Sequence, residues 1–124
     1  MELLDEAAAS SAESRNALAD RLLGEAVRLE RHPLIRFQQG AAGRRAPLVV
    51  GTRLYVHQIA STARANEADI EETARYFGIA PRLVRAALDY YGDFADEVDE
   101  DATVAARVER DERARWERQQ RALA

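Results

Sequence analysis

The sequence predicts a mainly α-helical protein: a helix-turn-helix core with a short β-hairpin before it, two N-terminal helices and a charged C-terminal helix. Three observations predict it. Apolar residues recur at three- and four-residue steps over most of the chain. A glycine-centred skeleton occupies Ile70 to Tyr91. Two short apolar runs, Leu34–Phe37 and Pro47–Val50, flank the turn Gly40–Gly43 as the strands of a hairpin would.

Residues 2–9 and 15–30 read as helices joined by a turn over 10–14, with Ser14 placed to cap the second. In that second helix Ala17, Leu18, Leu22, Ala26 and Leu29 are expected on one face. Pro33 ends the pattern, because it lacks an amide donor and restrains His32 before it. After the hairpin and a loop at Gly51-Thr52-Arg53, the period turns helical, with Val56, Ile59, Ala60 and Ala63 on one side, and fades near Asn66. Asp69 is expected to cap the next helix, whose apolar face is Ile70, Thr73, Ala74 and Phe77. Gly78 suits a left-handed helix end. Pro81 sits in the first turn of the following helix, with Val84, Ala87, Leu88 and Tyr91 as its inner face. Gly92 is expected to break or kink it. An acidic stretch then runs to Asp101, before an Arg/Glu-rich helix from about Thr103 to Leu123.

Composition narrows the function. The chain has 124 residues, the length of a single domain or of a small one with helical extensions. Of its hydrophobic 47%, about half is alanine, so the core is modest. There is no cysteine, which removes disulfides and thiolate chemistry. No window approaches a membrane span, and the N-terminus lacks the pattern of a secretion signal, so a cytoplasmic location is expected. His32 and His57 are too far apart to form a helical ligand pair. The acids Asp93, Asp96, Glu97, Asp99, Glu100 and Asp101 have no histidine or phosphate-cradling loop beside them; a solvated face or a loose metal attractor describes them. No nucleophile, base and orienting group can be assembled, so the chain is expected not to be an enzyme and to need no metal or other cofactor.

All 18 basic residues are arginine, against 22 acids. They are segregated: residues 1–30 carry −4, 31–66 carry +6, 67–88 carry −1, 89–101 carry −7 and 102–124 carry +2. Such blocks speak of partners rather than of fold. Three domains are expected, over 1–31, 32–100 and 101–124.

Candidate binding residues follow from these blocks. In Ile70–Tyr91, Ala74 is small where two helices touch, Ile79 plugs the corner after Gly78, and Val84 with Leu88 closes the second helix onto the first. This is the physics of a helix-turn-helix, which binds DNA in some settings and is purely structural in others. On DNA it would present Arg82 and Arg85. Arg44 and Arg45, at the hairpin turn, suit phosphate or an acidic protein surface, or are solvated. In the C-terminal helix Trp116 is a large aromatic among charges, fit either for docking a partner or for packing back on the core.

The segments His32-Pro33-Leu34-Ile35-Arg36-Phe37, Gly43-Arg44-Arg45-Ala46, Gly51-Thr52-Arg53-Leu54-Tyr55-Val56, Tyr76-Phe77-Gly78-Ile79-Ala80-Pro81 and Val84-Arg85-Ala86-Ala87-Leu88-Asp89-Tyr90-Tyr91 resemble the antitoxin-like family catalogued as domain of unknown function 433. The resemblance covers about residues 32–100. It implies a homeodomain-like three-helix core and an antitoxin role beside a PIN-like ribonuclease toxin, often with repression of the antitoxin's own promoter. Residues 1–30 are similar to the helices of a ribbon-helix-helix module, with Leu3-Leu4-Asp5-Glu6-Ala7 as the first helix and Ser14-Arg15-Asn16-Ala17-Leu18 opening the second. That family's DNA-reading strand has no counterpart before Leu3, so dimerisation rather than operator binding is expected there, and a homodimer with it. The leading expectation is thus an antitoxin of a type II toxin–antitoxin pair. Its C-terminal helix would lie across the toxin, with Trp116 in an apolar niche and Arg113, Arg118 or Arg121 on the nuclease's metal-binding acids. The alternative is a DNA-binding regulator using Arg82, Arg85, Arg44 and Arg45.

Overall fold

The structure, a computed structural model, describes residues 2–10 and 13–124. Among them are six α-helices and one two-stranded antiparallel sheet. They fall into two compact units, one ending at Pro33 and one beginning at Leu34. No helix among the described residues is long and apolar enough to cross a membrane.

The first unit holds α1 (Glu2–Ser10) and α2 (Arg15–Arg31). The turn expected over 10–14 includes Ser11 and Ala12, which lie outside the described residues. Ser14 caps α2 as expected: its hydroxyl accepts from the Ala17 amide at 3.1 Å. At the other end the His32 amide closes on the Arg28 carbonyl. The buried side of α2 differs from expectation. Leu18 is buried, but Leu22, Ala17 and Ala26 are exposed. The side that packs instead carries Arg21, whose guanidinium grips Glu13 at 2.8 Å and Glu25 at 3.4 Å. With alanine and leucine on both sides of this helix, periodicity alone selects no single face.

In the second unit, β1 (Ile35–Gln39) pairs with β2 (Arg45–Val49), Ile35 opposite Val49 and Phe37 opposite Pro47. The strands are displaced toward the turn relative to the expected runs. Gln38 and Gln39 are paired although poor strand formers, because the turn closes tightly: the Gly40 amide donates to the Arg44 carbonyl at 2.7 Å. Leu34 and Val50 add one further rung at 2.8 Å. A 3₁₀ turn over Ala41–Gly43 makes the reversal.

Three helices follow this hairpin, and the first and third of them pack on it while the second packs on those two. In α3 (Val56–Ala65) the four expected residues, Val56, Ile59, Ala60 and Ala63, are all buried. Its first turn is capped by Gln58, which accepts from the Tyr55 amide at 2.8 Å. In α4 (Ile70–Phe77) Asp69 accepts from the Glu72 amide at 3.0 Å, and Thr73 and Ala74 face inward. Gly78 follows at φ +67°, in the left-handed region, and its amide reaches back to Ala74 and Arg75. Pro81 opens α5 (Pro81–Asp93), which buries Val84, Ala87 and Tyr90. The inward tyrosine is thus Tyr90 rather than Tyr91; it meets Phe37 edge-on, with ring centroids 6.3 Å apart.

Gly92 does not break α5, which continues to Asp93; the bend falls at Phe94. From there α6 (Ala95–Leu123) runs unbroken for 29 residues. The acidic stretch is therefore the first turns of that helix rather than a connector before it. Asp96 and Glu97 complement the positive helix N-terminus, and Val98 locks the turn into the core at 1% exposure.

Candidate partner-binding surfaces

The hairpin tip is tied to α6. Arg44 donates from Nε to Asp101 Oδ1 at 2.7 Å, across 57 residues of sequence. Asp101 is buried and Arg44 is 39% exposed. Burial pushes the Asp101 carboxyl above its usual range, against the pull of Arg44, while the hydrogen bond to Asp101 pushes the Arg44 guanidinium up. Beside the pair opens a cavity of about 170 Å³, lined among others by Gly40, Tyr55, His57 and Gln58. His57 stacks on Tyr55, centroids 5.7 Å apart. Burial lowers its pKa below the ordinary imidazole value, opposed by the Asp101 carboxylate. The ring therefore stays neutral at neutral pH.

Arg44 was expected among the anion-binding residues, and the structure commits its Nε to its own chain. Its neighbour Arg45 is exposed and donates to the Phe37 carbonyl at 3.3 Å. Arg82 and Arg85 are exposed on α5. The other exposed charged residues of α4 and α5 are of both signs, Glu71, Glu72, Arg75, Asp89 and Asp93, and Arg75 is hydrogen-bonded to Glu72. The exposed charge of these two helices is therefore mixed rather than uniformly basic.

A second cluster escaped sequence reasoning altogether. Arg64 of α3 donates to the Tyr91 hydroxyl of α5, which donates to Asp99 of α6 at 2.9 Å. The Asp99 carboxylate pushes the Tyr91 phenol up. No local signal connects these residues; only the packing of three helices does.

The third surface is the end of α6. Every residue from Glu109 onward is exposed, so this segment of the helix projects free of the core. At 1.5 Å per residue, Glu109 to Leu123 extends roughly 20 Å. An ion pair, Arg113 to Glu109 at 3.0 Å, supports it. Trp116 is 58% exposed and Leu123 is 81% exposed; seven residues apart, they share one side of the helix. Arg113, three residues before Trp116, neighbours that side. Arg118 and Arg121 point away from it, in line with Arg107 and Arg110 three turns earlier. The tail thus presents an aromatic side and an arginine side.

Neither a protein-family profile, nor a curated protein, nor a solved structure matches the chain.

Proposed function

We propose that this protein is an antitoxin of a type II toxin–antitoxin pair, without catalytic activity of its own, which neutralises a PIN-like ribonuclease by inserting the tail of α6 into it. The observation that carries this reading is the exposed tail itself: a 29-residue helix anchored at Val98 and Asp101, then free, with Trp116 uncovered. A helix that its own core leaves bare is suited to a groove in another protein. Anchors on both sides favour a cleft over a flat face. One wall would receive Trp116; the opposite wall would hold the acids with which such a nuclease gathers its metal, meeting Arg118 and Arg121, with Arg113 at the rim. The resemblance of residues 32–100 to the antitoxin-like family supports the choice of partner. In this reading α3, α4 and α5 form the homeodomain-like unit, with α4 and α5 as its helix-turn-helix around Gly78.

The test is co-expression with the product of the adjacent reading frame, affinity purification and a ribonuclease assay. A stable complex with suppressed cleavage is expected, and Trp116→Ala should weaken it roughly 10–100-fold. Undiminished binding by a chain ending at Val108 would refute the role of the tail.

The exposure of Arg82 and Arg85 favours a second reading, a DNA-binding regulator or autorepressor. It requires steep salt dependence on promoter DNA and loss of binding on Arg82→Ala or Arg85→Ala.

A further inference from the structure

One stripe on the exposed surface of α2 consists of Arg15, Ala19, Leu22, Leu23, Ala26 and Glu30, with the exposed Val27 beside it. All are exposed except the half-buried Ala19; Leu22 is 42% and Leu23 66% exposed. Their steps along the chain are four, three, one, three and four, so one helix side carries them all. That spacing is a palindrome. Read from either end, the stripe runs charge, alanine, leucine, leucine, alanine, charge, and only the sign of the charge differs between the ends.

We propose that this stripe binds a second copy of the chain, with the two α2 helices antiparallel about a two-fold axis between Leu22 and Leu23. Reversal brings Leu22 against the partner's Leu23 and Ala19 against the partner's Ala26. It also sets Arg15 against the partner's Glu30 at both ends. A parallel arrangement would instead set like charges together. A two-fold contact demands a self-complementary surface, and this stripe is one. The alanines let the helix axes come close. The first unit also needs such cover: among its described residues Leu18 is the one buried large apolar side chain, and two helices of 9 and 17 residues are marginal alone in water. Arg15 is available for the contact, since its pair with Asp5 at 3.3 Å is exposed on both sides and weak. The inference stands on α2 and is independent of what the α6 tail binds.

Sedimentation equilibrium of the full chain tests it, with circular dichroism to confirm that each variant remains folded. The parent is expected to dimerise and Leu23→Glu to sediment as a monomer. Arg15→Glu and Glu30→Arg should each weaken dimerisation about tenfold. Combined, they should restore it, because the reversed charges again face one another. Glu30→Arg is the cleaner single variant, since Arg15→Glu also meets Asp5. The chain has no cysteine, so Leu22→Cys should oxidise to a covalent dimer while Arg15→Cys should not. A monomeric parent at 100 μM, a dimer indifferent to Leu23→Glu, or a double reversal that restores nothing would each overturn the proposal.

Discussion

Removing the guanidinium of Arg44 leaves the buried Asp101 carboxylate without the donor that holds it at 2.7 Å. An orphaned buried acceptor costs about 1–3 kcal/mol. Arg44→Ala should fall toward the lower end, because water already reaches the half-exposed Arg44 side chain. The cost is expected to shrink on acidification. Burial holds the Asp101 carboxyl above its usual range, so the fold prefers it protonated, and stability returns as pH falls through the folded value. Thermal melts of parent and Arg44→Ala at pH 7 and pH 4 check this: the gap in Tm should narrow. His57 works in the opposite sense. Burial depresses its pKa, so its contribution is complete above the ordinary imidazole value and is lost as pH falls through the folded one. His57→Gln should therefore lose less Tm between pH 7 and pH 5 than the parent does.

Among the elements, the turn between α4 and α5 depends on one backbone conformation. Gly78 sits at φ +67°, and a Cβ there would meet nothing within 4 Å. Gly78→Ala therefore acts through the backbone alone and should cost about 1–2 kcal/mol, read as a lower urea midpoint. Gly78→Asn should cost less, since asparagine tolerates this region. Signals of this kind made most of the helices legible in the sequence. Ser14, Asp69, Gly78 and Pro81 act on backbone groups within a turn of themselves, and each marks its boundary in the structure. The start of α6 was not legible, because a run of acids resembles a solvated linker until Val98 and Asp101 find their partners in the fold. The Arg44–Asp101 pair and the Arg64–Tyr91–Asp99 cluster were hidden for the same reason: distant segments create them. The exposed tail, by contrast, follows from composition alone, since residues 109–124 offer too little apolar surface to bury.

Across the whole molecule, the core and the tail should be energetically separable. Residues 109–123 bury nothing in the chain, so ending it at Val108 should move Tm by no more than about 2 °C. Limited trypsin digestion checks the same point. Cleavage should begin at the tail arginines and halt at a resistant body that retains Tyr90 and Val98 in its core. Trp116, the sole tryptophan, is a built-in reporter: its emission should match that of solvated indole in the free chain and shift to the blue when a partner covers it.

The continuity of α6 also fixes an orientation. Because one unbroken helix joins Val98 in the core to Trp116 beyond it, the compass bearing of the indole is locked to that of the body. Each residue added between Val108 and Trp116 turns that bearing by about 100° and advances it by about 1.5 Å. A single inserted alanine should thus swing the indole far around the axis while hardly lengthening the tail. Seven inserted residues should carry it about 10 Å outward with its bearing almost unchanged. A partner that holds the tail alone would accept both insertions. One that grips tail and body together would reject both, and one that tolerates a change in reach but not in bearing would accept only the second. The relative affinities of the two insertion variants would therefore show how much of the molecule the partner surveys at once.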